Sequence, residues 1–356
     1  MSKQNRIGEL DTAILEHIFT LLAPKKFAPH KRLVPLLRVN KHWHEIGRRR
    51  MYTSISLKGQ WVSRPLRKTL QKNKALAALV SELVMDTELS SQDPKETLDH
   101  VQIIAACLNL QHLTILGYAP NDVHTYREAI ASRSSLVALN ISEGGGMFSF
   151  AQLLEMMPGW PKLEKLILKN ILLPSDTPSL PSPGQPCSVL KMVKIIDKLD
   201  DDRHFSFSSF AALAPSVSVL WVQPQRGLPD DLLDALRVWA PTLEALCLVT
   251  DAEMHLETIL PQLASLRHLD IWSQILSPST ITHAPASLEA LTYRVFPPQL
   301  LDLSEALAAP SVAPALKAIE IKGAFPPGGM TPMKFTPTAL QSIRAVCKRR
   351  RIRLTL

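Results

Sequence analysis

The sequence is poor in aromatic residues, since Phe, Trp and Tyr together make up 6% of its 356 residues. Hydrophobic residues nevertheless reach 46%, a content that excludes a disordered chain. A folded core must therefore be built mainly from Leu, Ile, Val and Ala. Long apolar runs are also missing, and no stretch approaches the roughly 18 residues that a membrane-spanning helix requires. We expect a folded protein with no membrane partner.

Cysteine is scarce as well, with four residues at positions 107, 187, 247 and 347. They are far apart and form no Cys-x-x-Cys pair, which suits free thiols in a reducing compartment better than a disulfide framework. The first ten residues, MSKQNRIGEL, contain no apolar segment of the kind found in secretory signals. We therefore expect a cytoplasmic or nuclear protein.

Basic residues exceed acidic residues, which gives a net charge of +8 and an isoelectric point near 9.3. Much of the excess lies in two clusters, 48–50 and 348–351, the second followed by Arg353. Such clusters occur in nucleic-acid-binding proteins, but also at helix C-termini, where cations compensate the helix dipole. We favour the helix-end interpretation and expect no nucleic-acid partner. A nucleic-acid-associated basic tail is kept as an alternative.

A short pattern recurs along most of the chain: apolar-x-x-apolar-x-apolar, as in NLQHLTILG, KLEKLILKN and SLRHLDIW. Ten copies can be aligned, and successive copies begin 22 to 30 residues apart, most of them 26 to 28. The last part of each copy alternates with period two, which predicts a short strand with two apolar residues on one face. The first apolar residues of the copies are Val80, Leu110, Leu136, Leu163, Leu190, Val217, Leu243, Leu266, Leu288 and Leu316.

Between these strands lie segments with apolar residues at helical spacing, the clearest at 97–108, 122–133, 229–240 and 252–263. Strand and helix alternating at about 27 residues is the leucine-rich-repeat pattern, in which stacked copies bury one continuous core. We therefore predict an α/β fold over 53–356, an irregular leucine-rich-repeat solenoid with a curved parallel sheet and RIRLTL as a capping strand. The asparagine that usually follows the third apolar position is missing, so no asparagine ladder is expected.

The first segment, residues 1–52, does not follow the repeat. IGELDTAILEHIFTLL carries apolar residues at helical spacing, and LLRVNKHWHEIGRRRMY mixes apolar and basic residues. The combination L-x-x-x-IL-x-x-IF-x-x-L, followed after a gap by V-x-K-x-W, resembles the F-box. An aromatic residue and an alternating strand come next, in RRRMYTSISL, and a helix follows. This layout is similar to fungal F-box proteins with C-terminal leucine-rich repeats.

The resemblance implies a small helical F-box that docks on a Skp-type adaptor of an SCF-type cullin ubiquitin ligase, while the repeats hold a target protein. Such a receptor performs no chemistry itself and needs no cofactor. The adaptor-facing residues that the resemblance implies are apolar, and one is a tryptophan, a type enriched at binding hot spots. They are Leu10, Ile14, Leu15, Ile18, Val39 and Trp43. The alternative is that these residues form the internal core of a small helical cap.

The target would bind the concave surface of the repeats. In a solenoid of this kind, residues between and beside the buried strand positions face that surface. Exposed aromatic and arginine side chains on a rigid sheet suit protein recognition. The predicted target-binding residues are Lys165, Lys194, Trp221, His268, Asp270, Trp272 and Arg294. Alternatively, a neighbouring loop covers the two tryptophans, since large aromatic side chains are mostly buried.

Enzyme chemistry finds little support in the sequence. The acidic run 200–202 with His204 is typical of a solvated loop rather than a metal site, and the glycine run 144–146 lacks the lysine of a phosphate-binding loop. We expect neither a metal nor a catalytic residue. A leucine-rich-repeat interaction scaffold without a ligase role stays open as a second function class.

Overall fold

The computed structural model describes most of the chain in ranges separated by gaps. These ranges are 10–22, 33–57, 62–87, 93–117, 120–142, 148, 150–169, 189–197, 206–224, 231–249, 256–272, 278–295, 299–323 and 335–356. The chain divides into two compact units, Met1–Met147 and Phe148–Leu356. The predicted segments 1–52 and 53–356 do not coincide with these units, and that division stays a prediction.

The first unit combines helices with a parallel sheet. Its described helices are α1 (Thr12–Leu22), α2 (Lys41–Thr53), α3 (Ser63–Lys72), α4 (Lys74–Ala77), α5 (Pro94–Ala106) and α6 (Val123–Ala131), with a 3-10 turn at Leu36–Arg38. Its described strands are β1 (Ser54–Leu57), β2 (Glu82–Asp86), β3 (His112–Leu116) and β4 (Ala138–Ser142). Each strand pairs in parallel with the next along the chain, so the order of strands follows the sequence.

Helices α1 and α2 share a small core at the start of this unit. Phe19 and Trp43 meet edge to face with their ring centroids 5.9 Å apart. Leu15, Leu33 and Ile46 complete the buried cluster. Edge-to-face aromatic pairs add about 1 kcal/mol beyond the apolar area that they bury. The helical segment therefore has an apolar core of its own.

Two residues of the VNKHWHEIG stretch set the geometry of α2. Asn40 precedes the helix in extended backbone, and its Oδ1 accepts a hydrogen bond from the Trp43 N–H at 2.8 Å, which caps the helix. Gly47 lies at a close contact between helices, because a Cβ there would come within 3.0 Å of the Phe19 ring and closer still to Leu37. In this stretch Asn40 thus caps the helix, Trp43 fills the core and Gly47 allows the close contact with Phe19 and Leu37.

The second unit repeats the same parallel arrangement. Its described helices are α7 (Phe150–Met156), α8 (Phe207–Leu213), α9 (Leu232–Trp239), α10 (Gln299–Ala306) and α11 (Pro337–Arg350). Its described strands are β5 (Lys165–Lys169), β6 (Met192–Asp197), β7 (Val219–Pro224), β8 (Ala245–Leu248), β9 (His268–Trp272), β10 (Ala290–Val295), β11 (Ala318–Gly323) and β12 (Arg353–Thr355). From β5 to β12 each strand pairs in parallel with the next.

Burial follows the repeat pattern of the sequence. All three apolar positions of all ten aligned copies are buried, from Val80 to Ile321. The strands alternate accordingly: in β5, Leu166 and Leu168 face the core, whereas Lys165 lies on the opposite face. Burying one leucine side chain contributes about 2 kcal/mol, and neighbouring copies cover each other's apolar faces. The predicted α/β leucine-rich-repeat fold is confirmed.

The copies differ in the structure that connects their strands. Three of the four predicted helices are confirmed as α5, α6 and α9, whereas the α-helix predicted at 252–263 is wrong. The described part of that segment holds two 3-10 turns, and Pro261 in the second turn lacks the N–H that an α-helix requires. This copy is one of the two shortest, and the other also holds a 3-10 turn, at Pro278–His283. The 3-10 turn advances further per residue than an α-helix, so it suits a short copy.

A hydroxyl ladder connects successive copies. In several copies the residue just before the first apolar position is Ser or Thr, and its hydroxyl donates to a backbone carbonyl of the preceding copy. These bonds join Ser135 to Leu110 (2.7 Å), Thr242 to Val217 (2.9 Å), Ser265 to Pro241 (2.7 Å) and Ser287 to Leu266 (2.8 Å). They satisfy carbonyl groups of the turns that lead into the strands.

The C-terminal segment follows its prediction. Helix α11 begins at Pro337, and the hydroxyl of Thr336 accepts a hydrogen bond from the Ala339 N–H at 3.3 Å. Strand β12 then pairs in parallel with β11. RIRLTL therefore contains the last described strand of the second unit.

Candidate functional site

The outer face of the second unit's sheet is the face opposite the buried leucines, and it presents three rows of side chains. The strand register sets these rows, because residues directly opposite each other on paired strands lie side by side. The middle row runs through Ile167, Lys194, Trp221, Cys247, Asp270, Thr292 and Glu320. The flanking rows hold the residues two positions before and two positions after these.

The predicted target-binding residues all belong to these strands and lie on these rows. Lys165 and His268 are exposed on the first row, and Trp272 lies in register with Arg294 on the third. The side chain of Trp272 falls outside the described part of the structure. The half-buried members are Lys194, Trp221, Asp270 and Arg294. The residues share one face, but they contact each other in two separate groups.

The first group is formed by Lys194 and Trp221 on adjacent strands. The ammonium nitrogen of Lys194 lies 3.2 Å from the centroid of the indole ring, a cation–π contact. Burial lowers the pKa of Lys194 below its ordinary value, and repulsion from Lys169 and Lys165 lowers it further. The Trp221 Nε1 is buried and donates to no acceptor in the part of the chain that the structure describes. The indole is thus half-buried, with the lysine over its ring.

The second group is a set of ion pairs on β9–β11. The guanidinium of Arg294 lies 3.3 Å from the Asp270 carboxylate, and both side chains are largely shielded from solvent. Lys322 lies 3.0 Å from Glu320, which also accepts a hydrogen bond from the Thr292 hydroxyl. Charges in this part of the face are therefore compensated within the sheet.

The six residues predicted to face an adaptor divide by exposure. Leu15 and Trp43 are buried in the core of the helical segment, with 0% and 5% of their surfaces exposed. Their predicted role as partner-facing side chains is wrong for this structure, because Phe19 and Ile46 already cover them. Leu10 and Ile18 are half-buried, and Leu10 packs against the same core. Ile14 and Val39 are exposed, at 50% and 48%.

Helix α1 carries two apolar stripes. Leu15 and Phe19, four residues apart, face the core. Ile14, Ile18 and Leu21 follow at helical spacing on an adjacent side, and we call these three residues the outward stripe. Leu21 is 69% exposed and was not among the predicted site residues. Its spacing of seven residues from Ile14 is the sequence signal that identifies it.

The basic clusters lie near the C-terminal ends of α2 and α11. Arg350 donates to the carbonyl oxygens of Leu307 (3.0 Å), Val312 (2.7 Å) and Ala313 (2.9 Å), and Arg349 donates to that of Ala308 (3.2 Å). In the first cluster, Arg49 pairs with Glu45 one turn earlier on α2. These contacts favour the helix-end interpretation over a nucleic-acid-binding tail.

Among the described residues, no group of three or more His, Cys, Asp or Glu side chains is arranged to hold a metal ion. The acidic run 200–202 with His204 and the glycine run 144–146 lie outside the described residues. Within the described ranges, no helix has the length and apolar character needed to cross a membrane.

Two solved structures of low sequence identity are similar to the chain. No protein-family model matches the chain. No curated protein matches it either. Among solved structures, TLR13 in complex with ssRNA13 is similar at 11% identity and a TM-score of 0.37, over 78% of this chain and 49% of that one.

A second similar structure is the leucine-rich-repeat ectodomain of the plant membrane receptor kinase GASSHO1/SCHENGEN3 from Arabidopsis thaliana in complex with CASPARIAN STRIP INTEGRITY FACTOR 2. It has 12% identity and a TM-score of 0.31, over 78% of this chain and 32% of that one. The chain thus spans about half the length of the first structure and about a third of the second. The repeat architecture of this chain is established by the parallel strand register and by the burial of the apolar positions of the copies.

Proposed function

We propose that the chain is a non-catalytic receptor of an SCF-type cullin ubiquitin ligase. In this proposal the helical segment 1–52 binds a Skp-type adaptor, and the outer face of the repeats binds a target protein. The resemblance of the segment to the F-box supports the first part. The repeat fold, with side chains displayed in rows on a rigid sheet, supports the second.

The observation that carries the proposal is the outward stripe of α1. The core of the helical segment is complete without Ile14 and Leu21, yet both are large apolar side chains with at least half of their surface exposed. An amphipathic helix that lays an apolar stripe into a partner's groove is a common mode of recognition. Val39 adds a further exposed apolar side chain in the same segment. Adaptor binding through these residues leaves Trp43 and Leu15 in their structural role.

Co-expression with a Skp-type adaptor tests the proposal. We expect the wild-type chain to purify as a stoichiometric complex, and we expect Leu21→Asp to weaken that complex by at least about tenfold. An apolar anchor at the centre of an interface contributes about 2 kcal/mol or more, and a buried carboxylate adds a desolvation cost. Trp43→Ala is unsuitable for this purpose, because it would disrupt the core of the segment.

Leu108→Asp is the matched control, since Leu108 and Leu21 are 68% and 69% exposed. Leu108 lies two residues after the end of α5, in the repeats, and its substitution should leave the complex intact. Circular dichroism establishes that each variant is folded. If a folded wild-type chain forms no complex, or Leu21→Asp binds as tightly as wild type, the ligase proposal fails. The chain is then an interaction scaffold without a ligase role.

A further inference from the structure

The outer face of the second unit differs in charge between its two parts. On β5–β8, the outer positions hold three lysines, Lys165, Lys169 and Lys194, and no acidic residue. On β9–β11, by contrast, each described ion pair joins an acid and a base of the same face. The positive charges of the three lysines are therefore not balanced by acidic residues at the outer positions of β5–β8, whereas the charges on β9–β11 form ion pairs. We call these three residues the lysine cluster.

The lysines lie close enough to repel one another. Lys194 is on β6, and its register partner on β5 is Ile167, which stands midway between Lys165 and Lys169. Adjacent strands lie about 4.8 Å apart, and residues four positions apart along a strand are separated by about 13 Å. The lowered pKa of Lys194 agrees with this proximity. Three cations on one rigid surface create a field that attracts anionic groups.

Apolar side chains lie among the lysines. Ile167, Met192, Ile196 and Val219 are half-buried on the outer face, so part of each side chain is open to solvent. Lysine stems also cover apolar surface while the ammonium group stays in water. The surface thus offers apolar contact beside positive charge, which suits a ligand with both kinds of group.

We infer that the lysine cluster, with Ile167 and Met192 beside it, binds an acidic segment of a protein in which carboxylates flank an apolar side chain. This inference rests on the proposed target-binding role of the outer face, and it names the chemistry of the target. Lys165 and Lys169 flank Ile167 along β5. An extended segment that runs along this strand places one carboxylate on each side of an apolar residue, so that each carboxylate faces one lysine.

A protein segment fits this surface better than a nucleic acid does. Nucleic acids bind through many cations that track the phosphates and through open aromatic faces on which bases stack. Here the cations are three, and the ammonium group of Lys194 already lies over the indole ring of Trp221. The half-buried aliphatic side chains, moreover, match apolar amino-acid side chains and not bases.

A random 12-residue peptide library, displayed on phage and selected on the purified full chain, tests the inference. We expect the selected peptides to be enriched in Asp and Glu on both sides of an apolar residue. We expect the triple variant K165Q/K169Q/K194Q to lose this enrichment and to bind a selected peptide at least about tenfold more weakly, since each lysine contributes charge attraction to a carboxylate.

The control K68Q/K72Q/K74Q removes the same charge from exposed positions on α3 and α4. It should select acidic peptides as the wild-type chain does. Selection of no peptides, of peptides without acidic enrichment, or of the same acidic peptides by the triple variant would overturn the inference. An RNA oligonucleotide that competes fully for the surface would also overturn it. Adaptor complex formation is measured in parallel on both variants, so failure of the ligase proposal is recognised separately.

Discussion

His100 is a buried ionisable side chain on α5, with 1% of its surface exposed. Its Nε2 lies 3.4 Å from Glu96 on the same helix, and its ring meets Tyr126 of α6 edge to face. Burial lowers the pKa of His100 from 6.5 to about 4, although the negative charge of Asp86 acts in the opposite direction. The imidazole is therefore neutral in the folded protein at neutral pH.

The free energy of unfolding should fall with acidity because of this residue. Above pH 6.5 neither the folded nor the unfolded state protonates His100, and no stability is lost. Between pH 6.5 and 4 the unfolded chain binds the proton and the folded chain does not, so stability decreases as the pH falls. Linkage gives a loss of about 2 kcal/mol at pH 5. Urea denaturation at pH 7.5 and pH 5 measures it.

His100→Phe is the informative variant, because it keeps an aromatic ring beside Tyr126 and removes the titrating group. We expect it to lose less stability than wild type between the two pH values, by about 2 kcal/mol. His124→Phe is the control, since the His124 side chain is 77% exposed. Equal pH dependence of His100→Phe and wild type would show that His100 is not the source.

Helix α11 ends in a guanidinium clamp that joins it to the turn after α10. Arg350 donates to three carbonyl groups of residues 307–313, and Ala313 among them has a left-handed φ of 41°. Leu307, Val312 and Ala313 are buried, so their carbonyl oxygens have little access to water. A planar guanidinium presents several donors in a fixed fork, which a lysine ammonium cannot reproduce.

We expect Arg350→Lys to lower the free energy of unfolding by about 2 to 3 kcal/mol, because buried carbonyl acceptors lose their donors. Hydrogen exchange should speed up over residues 307–316 in the variant. Lys348→Gln in the same helical turn is the control and should change stability little, since Lys348 is exposed. A stable Arg350→Lys variant would mean that water replaces the clamp.

Elements with a strong local signal could be predicted from the sequence. The strands of all ten copies and helices α5, α6 and α9 follow from apolar spacing alone. The segment 252–263 has the same spacing but forms 3-10 turns, because the short copy and Pro261 outweigh the periodicity. The sequence predicts that Arg350 lies at a helix end, but not its carbonyl acceptors, because these lie about forty residues away in the sequence.

The candidate site was predictable only in part. Lys194 and Trp221 occupy equivalent positions of adjacent copies, so the repeat alignment places them side by side, as the register does. The cation–π contact depends on side-chain rotamers, which the alignment does not contain. Apolar residues at helical spacing on α1 fit a core and a binding surface equally well. Only the fold separates Leu15, which is buried, from Leu21, which is exposed.

The repeat-containing part of each unit is a series of similar copies, in which a copy contacts mainly its neighbours. Stability of such a series is approximately a sum of terms for single copies and for adjacent pairs. The hydroxyl ladder contributes to the pair terms. Thr242, for example, belongs to the copy of β8 and donates to Val217 in the copy of β7.

We expect Thr242→Val to weaken one junction without loosening the whole second unit. Loss of this half-buried hydrogen bond should cost about 1 kcal/mol. Hydrogen exchange should speed up in β7 and β8 while β10 and β11 keep their protection. Thr242→Ser retains the hydroxyl and should behave as wild type. Equal loss of protection in all strands would mean that the second unit unfolds as one cooperative body.

The burial of the cysteines has a chemical consequence. Cys107, Cys247 and Cys347 form no disulfide and are buried, Cys247 on the outer face of the sheet between Trp221 and Asp270. Burial raises the pKa of each thiol above its ordinary value, that of Cys107 to about 12. Peroxides react with thiolates far faster than with thiols. We therefore expect peroxide to oxidise these three thiols more slowly than exposed cysteines of low pKa, which would leave the packing around them intact.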